Sequence, residues 1–336
     1  MSVEDNKAVR RKNFLPFCHR WIFLLSSTII VVFFSEKMYW YIQGYSLLIL
    51  ILVYVVGVYI IVRAIEFFSV AKFWPFVLVA VLYPLYVEGL FTGIILQDIT
   101  VFTMLSYFVG WHTLISVMIG WYLHRKWLIN KDYFRLGLSS TLIGIFWGFW
   151  SIVYWTPRQM GPEFEDGFRT GQWPVLEFAF LVFFLTLLYI GSHYLLGRKG
   201  IWQSEFRPSK IEDGIIFAVI LFFLIIQFIA LSFLVLILLG HLCIVLLALR
   251  AYSRRKNGPT ILKQLEGEVE LKGTLVFFFM PLLATMVYWL FTLYRPSDEF
   301  IGSVIYDGTV FIQLILGFIF YLVAIFYTLR RAKKRS

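Results

Sequence analysis

The chain has 336 residues, 60% of them apolar and 15% charged, with a mean hydropathy of +0.80 and a formal net charge of +10. A soluble domain carries about 45–50% apolar and about 25% charged residues, so the composition excludes an ordinary soluble fold and points to segments that cross a bilayer. Two cysteines, far apart at Cys18 and Cys243, exclude a disulfide scaffold.

In chain order, the first apolar run covers 15–34 and follows Lys7, Arg10, Arg11 and Lys12. No A-x-A cleavage site follows it, so a retained first span is expected rather than a removed signal peptide. Tyr39, Trp40, Tyr41 and Tyr45 then gather as interfacial aromatics do, before span 2 at 45–63. Span 3, at 74–96, holds Pro84, Glu88 and a Gly89-x-x-x-Gly93 pair. A proline inside a helix frees a backbone carbonyl and kinks the axis, which opens room for a polar group one turn later. Span 4, at 101–123, places His112, Ser116 and Gly120 at four-residue spacing on one face, and small residues mark helix contact in membranes. Span 5, at 136–155, repeats that spacing with Ser140, Gly144 and Gly148, read as a packing seam. After the outer connection 156–173 comes span 6, at 174–196.

The block from Gly214 to Leu249 is apolar apart from Gln227, Ser232 and His241. As one helix it would be about 54 Å long at about 1.5 Å per residue, against a hydrocarbon core of about 30 Å. As a hairpin it forms two slightly short spans, 212–230 and 231–250. The basic residues decide between these. With a hairpin and the N-terminus inside, the outer segments carry Lys37, Arg158, Arg169 and Arg295, and every other Lys and Arg falls on the cytoplasmic side. A single helix would put the basic cluster at 250–272 and the C-terminal one on opposite sides, against the positive-inside bias. In 251–272, Ile261, Leu262, Leu265, Val269 and Leu271 alternate with charged residues, which predicts a short surface helix. Spans at 273–294 and 308–329 complete the set.

The expected fold is an all-α integral membrane protein: a polytopic helical bundle of about ten transmembrane helices, one transmembrane domain over 1–336, with both termini cytoplasmic in the cell membrane. Topology and anionic lipid account for the net charge, so nucleic acid is excluded as a partner. The expected partners are the lipid bilayer and a lipid-like substrate.

Ionisable groups at membrane depth cost about 2.5–3.5 kcal/mol on insertion scales and usually face the bundle interior, where they mark function. Three meet this description: Glu88 in span 3, His112 in span 4 and His241 in span 8. Counted from the outer boundary at about 1.5 Å per residue, they lie about 12, about 16 and about 15 Å deep. They form the candidate substrate or proton site, in the slab where transporter sites lie. Asp98 and Glu177, at outer ends, form a weaker candidate outer vestibule, and His193 lies at an inner end. Imidazole and carboxylate are proper zinc ligands, but the chain has no two-cysteine zinc spacing and these residues stand on separate helices, so no metal site is assigned and the sequence leaves the cofactor unknown. The chain also lacks H-E-x-x-H, G-x-S-x-G and P-loop motifs.

Three readings follow. In a secondary transporter or translocator of an apolar or lipid-like substrate, protonation of Glu88 is the coupling event and His112 its partner. In a membrane-embedded enzyme modifying a lipid or lipid-linked substrate, His112 is the general base and Glu88 orients it. In a scaffold or assembly factor without chemistry, all three residues are structural. The scarcity of Asn, Gln, Ser and Asp inside the spans directs either active reading toward an apolar or lipid-like substrate.

Overall fold

The computed structural model describes residues 3–37, 45–96, 101–155, 174–231, 233–253, 258–294 and 300–333. Helices account for nearly all of these residues, and no strand occurs among them. Ten helices are long and apolar enough to cross a membrane: α1 (Phe17–Glu36), α2 (Leu48–Phe67), α3 (Phe73–Phe91), α4 (Val101–Ile129), α5 (Tyr133–Val153), α6 (Val175–Leu196), α7 (Lys210–Ala230), α8 (Leu234–Ser253), α9 (Leu271–Tyr294) and α10 (Val304–Arg330). Such a bundle fits a multi-pass membrane protein, and large side chains such as Leu48, Phe180, Phe217 and Phe311 stand exposed on its perimeter.

Burial ranks the helices. α3 is 89% buried and α7 only 6%, so α3 is the hub and α7 the rim. α3 packs against α2, α4, α8 and α10, α5 packs on α9, and α1 on α2, α4 and α6. The closest approach is where α4 crosses α10. A Cβ on Gly110 would fall on the Gln313 carbonyl oxygen, and one on Gly317 on that of Ser106. Small residues let helix backbones approach this closely. The Gly144 and Gly148 seam of α5 packs in the same way on Met280, Ala284 and Val287 of α9.

The 214–249 block is a hairpin. At the start of α7, Glu212 pairs with Arg20 at 3.0 Å and Asp213 with Arg63 at 3.1 Å. At the end of α8, the Tyr252 hydroxyl accepts from the Ala71 amide, close after the end of α2. The two helices therefore share that end. At the other end both meet the tail of α3: Gln227 donates to the Phe91 carbonyl, and Leu238 lies against Gly89.

Two expectations need correction. The helix read as 101–123 continues to Ile129, because the polar side chains of His124 and Arg125 find partners inside the bundle and do not stop it. The segment 251–272 is not a surface helix within its described part. A four-residue turn, Ile261–Gln264, is its one helical piece before Leu271, and Ile261, Leu262 and Leu265 are buried. The Ile261 amide donates to Val70 O at 2.7 Å and Gln264 Nε2 to Ala71 O at 2.9 Å. The apolar spacing was real, but the carbonyls of Leu262, Leu265 and Gly267 accept from Trp202 and Arg125 instead of continuing a helix.

Gly317→Val should lower thermal stability in detergent by about 1–3 kcal/mol or more, because overpacking against backbone cannot relax by a rotamer change. Gly191→Ala, facing open space, should change it by no more than about 1 kcal/mol, in the stabilising direction. Equal losses in the two variants would contradict the α4–α10 crossing.

Candidate functional site

One cluster of buried polar residues lies where the helices are π-wound. Pro84 closes the α-helical part of α3, and a π-helical stretch, Leu85–Phe91, follows and carries Glu88. The Thr92 amide donates five residues back to Val87 O at 2.9 Å, the π pattern. In α4 the π stretch Val109–Leu123 carries His112, and in α1 Phe33–Lys37 carries Glu36. A π turn widens the coil and re-aims side chains, and such turns recur at functional sites.

These turns bring Glu88 and His112 together. His112 Nε2 lies 2.9 Å from Glu88 Oε1, and the residues are 1% and 5% exposed. The Thr92 hydroxyl donates to Glu88 Oε2 at 2.9 Å, and Thr92 is exposed, so one hydroxyl separates the carboxyl from the protein surface. The imidazole stacks on Trp111 and Phe108, with ring centroids at 5.0 and 5.6 Å, and meets the edge of Tyr83. Its Nδ1 is buried and has no hydrogen-bond partner among the described residues.

A second polar chain runs beside the pair. Tyr54 donates to Glu36, and the Tyr54 and Tyr83 rings meet edge to face at 5.5 Å. The Tyr83 hydroxyl lies 3.4 Å from Ser35 Oγ, which donates to Ser116 Oγ at 2.8 Å. Ser116 thus shares the buried face of His112, and Gly120 on that face packs against Phe34. Four helices, α1 to α4, supply the whole cluster. Glu36 was not singled out from sequence, since it ends an apolar run beside Lys37 and reads as interface.

His241 lies elsewhere. Its Nδ1 is 3.2 Å from the Tyr321 hydroxyl and its ring stacks on Phe102, so it faces α10 and the start of α4. No group of three or more His, Cys, Asp or Glu positioned to hold a metal occurs among the described residues. Glu177 is exposed in the first turn of α6, and Asp98 lies outside the described residues.

His193 belongs to a second buried cluster at the end of the bundle that carries Arg20 and Arg63. It lies against Tyr189 and Phe277. The Tyr189 hydroxyl donates to Gly120 O at 3.0 Å, so its oxygen must accept from His124 Nδ1, 2.6 Å away. Ser139 Oγ lies 2.9 Å from the other ring nitrogen. Next to this, Arg125 is fully buried. Its guanidinium donates to the carbonyls of His193, Leu196, Leu265 and Gly267, and lies 4.6 Å over the Trp202 ring. It caps the C-terminal carbonyls of α6 and ties them to the 258–270 segment. A charge count treats Arg125 as one more loop cation. The signal that distinguishes it is helix phase: it shares the buried stripe of Trp121 and Leu128.

No family model matches the chain, nor does any curated protein or solved structure.

Direct bonding of Glu88 to His112 predicts non-additive destabilisation. A cycle of Glu88→Ala, His112→Ala and the double variant should give a coupling of about 0.5–3 kcal/mol in denaturation, whereas Glu88→Ala and His241→Ala should add within about 0.5 kcal/mol. Additivity in the first cycle would break the pair.

Proposed function

We propose that the chain is a proton-linked secondary transporter or translocator of an apolar or lipid-like substrate in the cell membrane, with Glu88 and His112 as its proton site. One observation carries this reading: the buried carboxyl–imidazole pair lies on one side of α4, and an apolar groove lies on another side of the same π-wound stretch. The groove, of about 500 Å³, is lined by Gly110, Leu114, Met118, Phe146 and Phe320, with Thr309 and Gln313 as polar points. That volume falls in the usual range of ligand pockets, about 300–1,000 Å³, and the lining suits hydrocarbon.

The chemistry follows from burial. A proton added to or taken from the Glu88–His112 unit changes its net charge, and a charge in apolar surroundings is costly. The Thr92 hydroxyl offers the proton a path to the surface. The helix walls must rearrange to resolvate the changed pair, and the α4 wall is shared with the groove. Protonation and groove shape are thereby linked. In the proposed orientation the Arg-rich end is cytoplasmic, both termini are cytoplasmic, and the Glu36 end of α1 faces out.

The alternative, an enzyme with His112 as base and Glu88 as its orienter, has one observation in its favour: the Nδ1 of His112 is left without a partner among the described residues.

In proteoliposomes, an imposed pH gradient should accelerate transfer of a fluorescently tagged phospholipid between leaflets by wild-type protein. Glu88→Gln should abolish that response while eluting and melting like wild type. Full gradient-driven transfer by Glu88→Gln would end the proton-linked reading. Lipid product formed in detergent, with no sealed compartment, would favour the enzyme. A reporter fused after Arg255 should read cytoplasmic, and an outer location would reverse the orientation.

A further inference from the structure

A second groove, also of about 500 Å³, lies where α7 and α8 diverge against α2. It does not include Glu88, His112 or their bonded neighbours. Its walls are hydrocarbon, with Phe67 and Leu82 on one side and Phe217, Ile220, Leu246 and Leu247 on the other. Its polar end is built from the last turns of α2 and α8 and the first turn of α7, which supply Arg63, Arg250 and Asp213, with Tyr59 beside them.

The charges at that end do not cancel. Arg63 grips Asp213 with Nη2 at 3.1 Å and Nε at 3.2 Å, and the Tyr59 hydroxyl donates to the same carboxylate at 2.7 Å. The neighbouring Glu212 is taken by Arg20. Arg250 is exposed, and its guanidinium has no partner among the described residues. Among the described residues the groove therefore has one uncompensated positive charge at its end and apolar walls below it. α7 is the least buried of the ten helices, and the groove lies along it.

We propose that this groove binds one anionic glycerophospholipid, with its phosphate on Arg250 and an acyl chain along Phe217 and Leu246. Guanidinium groups pair with phosphate through two parallel N–H donors, and basic pockets between membrane helices select anionic headgroups. The apolar walls require a chain attached to that phosphate, which excludes a free anion. The proposal does not rest on the transport reading. It requires only that the bundle stand in a bilayer, and it holds for a transporter, an enzyme or a scaffold.

Full-length protein would be equilibrated with equal phosphatidylglycerol and phosphatidylcholine, delipidated mildly and weighed by native mass spectrometry. Wild type should retain one phosphatidylglycerol in preference. Arg250→Gln should lower the phosphatidylglycerol-to-phosphatidylcholine ratio by about fivefold, the fold-change of about 1 kcal/mol per basic residue near the headgroup. Leu246→Trp, which fills the groove, should remove the retained lipid. Arg207→Gln alters an exposed arginine paired with Glu205 before α7, and should leave the ratio unchanged. An unchanged ratio in Arg250→Gln, an equal drop in Arg207→Gln, or displacement of the lipid by millimolar inorganic phosphate would each overturn the proposal.

Discussion

Inside hydrocarbon a polar group has no water to turn to, so each one must be met by another part of the protein. The hydrogen bond between Glu88 and His112 is the clearest case, and much of the local architecture follows from it. Glu88 can reach His112 because the coil loosens to π winding after Pro84. His112 can receive it because α4 is π-wound over Val109–Leu123 and its aromatic neighbours wall the imidazole off. The Gly110–Gly317 approach presses α10 against α4 and fixes the helix that carries the histidine. The bonded Glu88–His112 pair and close backbone contact therefore lie together at the hub of the bundle.

The same rule operates at the opposite end of the cluster helices, with a different solution. Arg125 is buried without an acid beside it. Carbonyl oxygens from the end of α6 and from the 258–270 segment take its donors, and Trp202 covers its face. Glu212 and Asp213 bind α7 to Arg20 and Arg63, which attaches an otherwise exposed helix to the bundle at one end. The proton-site proposal uses a polar pair whose charge can change. The Arg125 cluster is its static counterpart, since a guanidinium keeps its charge.

How much of this was legible in the sequence varies with the kind of signal. The ten apolar helices were readable because length and hydropathy are recorded along the chain, while helix ends such as those of α2, α3 and α4 fall several residues away from the limits of the apolar runs. The hairpin of α7 and α8 was readable only through the basic residues, since the apolar run itself has no break. Glu88 and His112 stood out because charge in an apolar run is costly, and their similar depth was countable. Their meeting was not, because lateral placement depends on which helices neighbour which. His241 shares that depth in the sequence and yet turns toward Tyr321. Glu36 and Arg125 were missed for one reason: near the end of an apolar run, a charged residue reads as interface whether it points out or in. The π-wound stretches left no mark at all, because helical phase was read at 3.6 residues per turn.

In the proposed mechanism the Glu88 carboxyl, held by His112 and Thr92, takes up and releases a proton inside the bundle. Infrared difference spectroscopy on protein reconstituted in lipid, cycled between acid and alkaline buffer, observes that carboxyl directly. The account predicts a reversible protonated-carboxyl band that vanishes in Glu88→Gln and is displaced in His112→Ala. A difference spectrum unchanged by Glu88→Gln would contradict it and return the pair to a purely structural role.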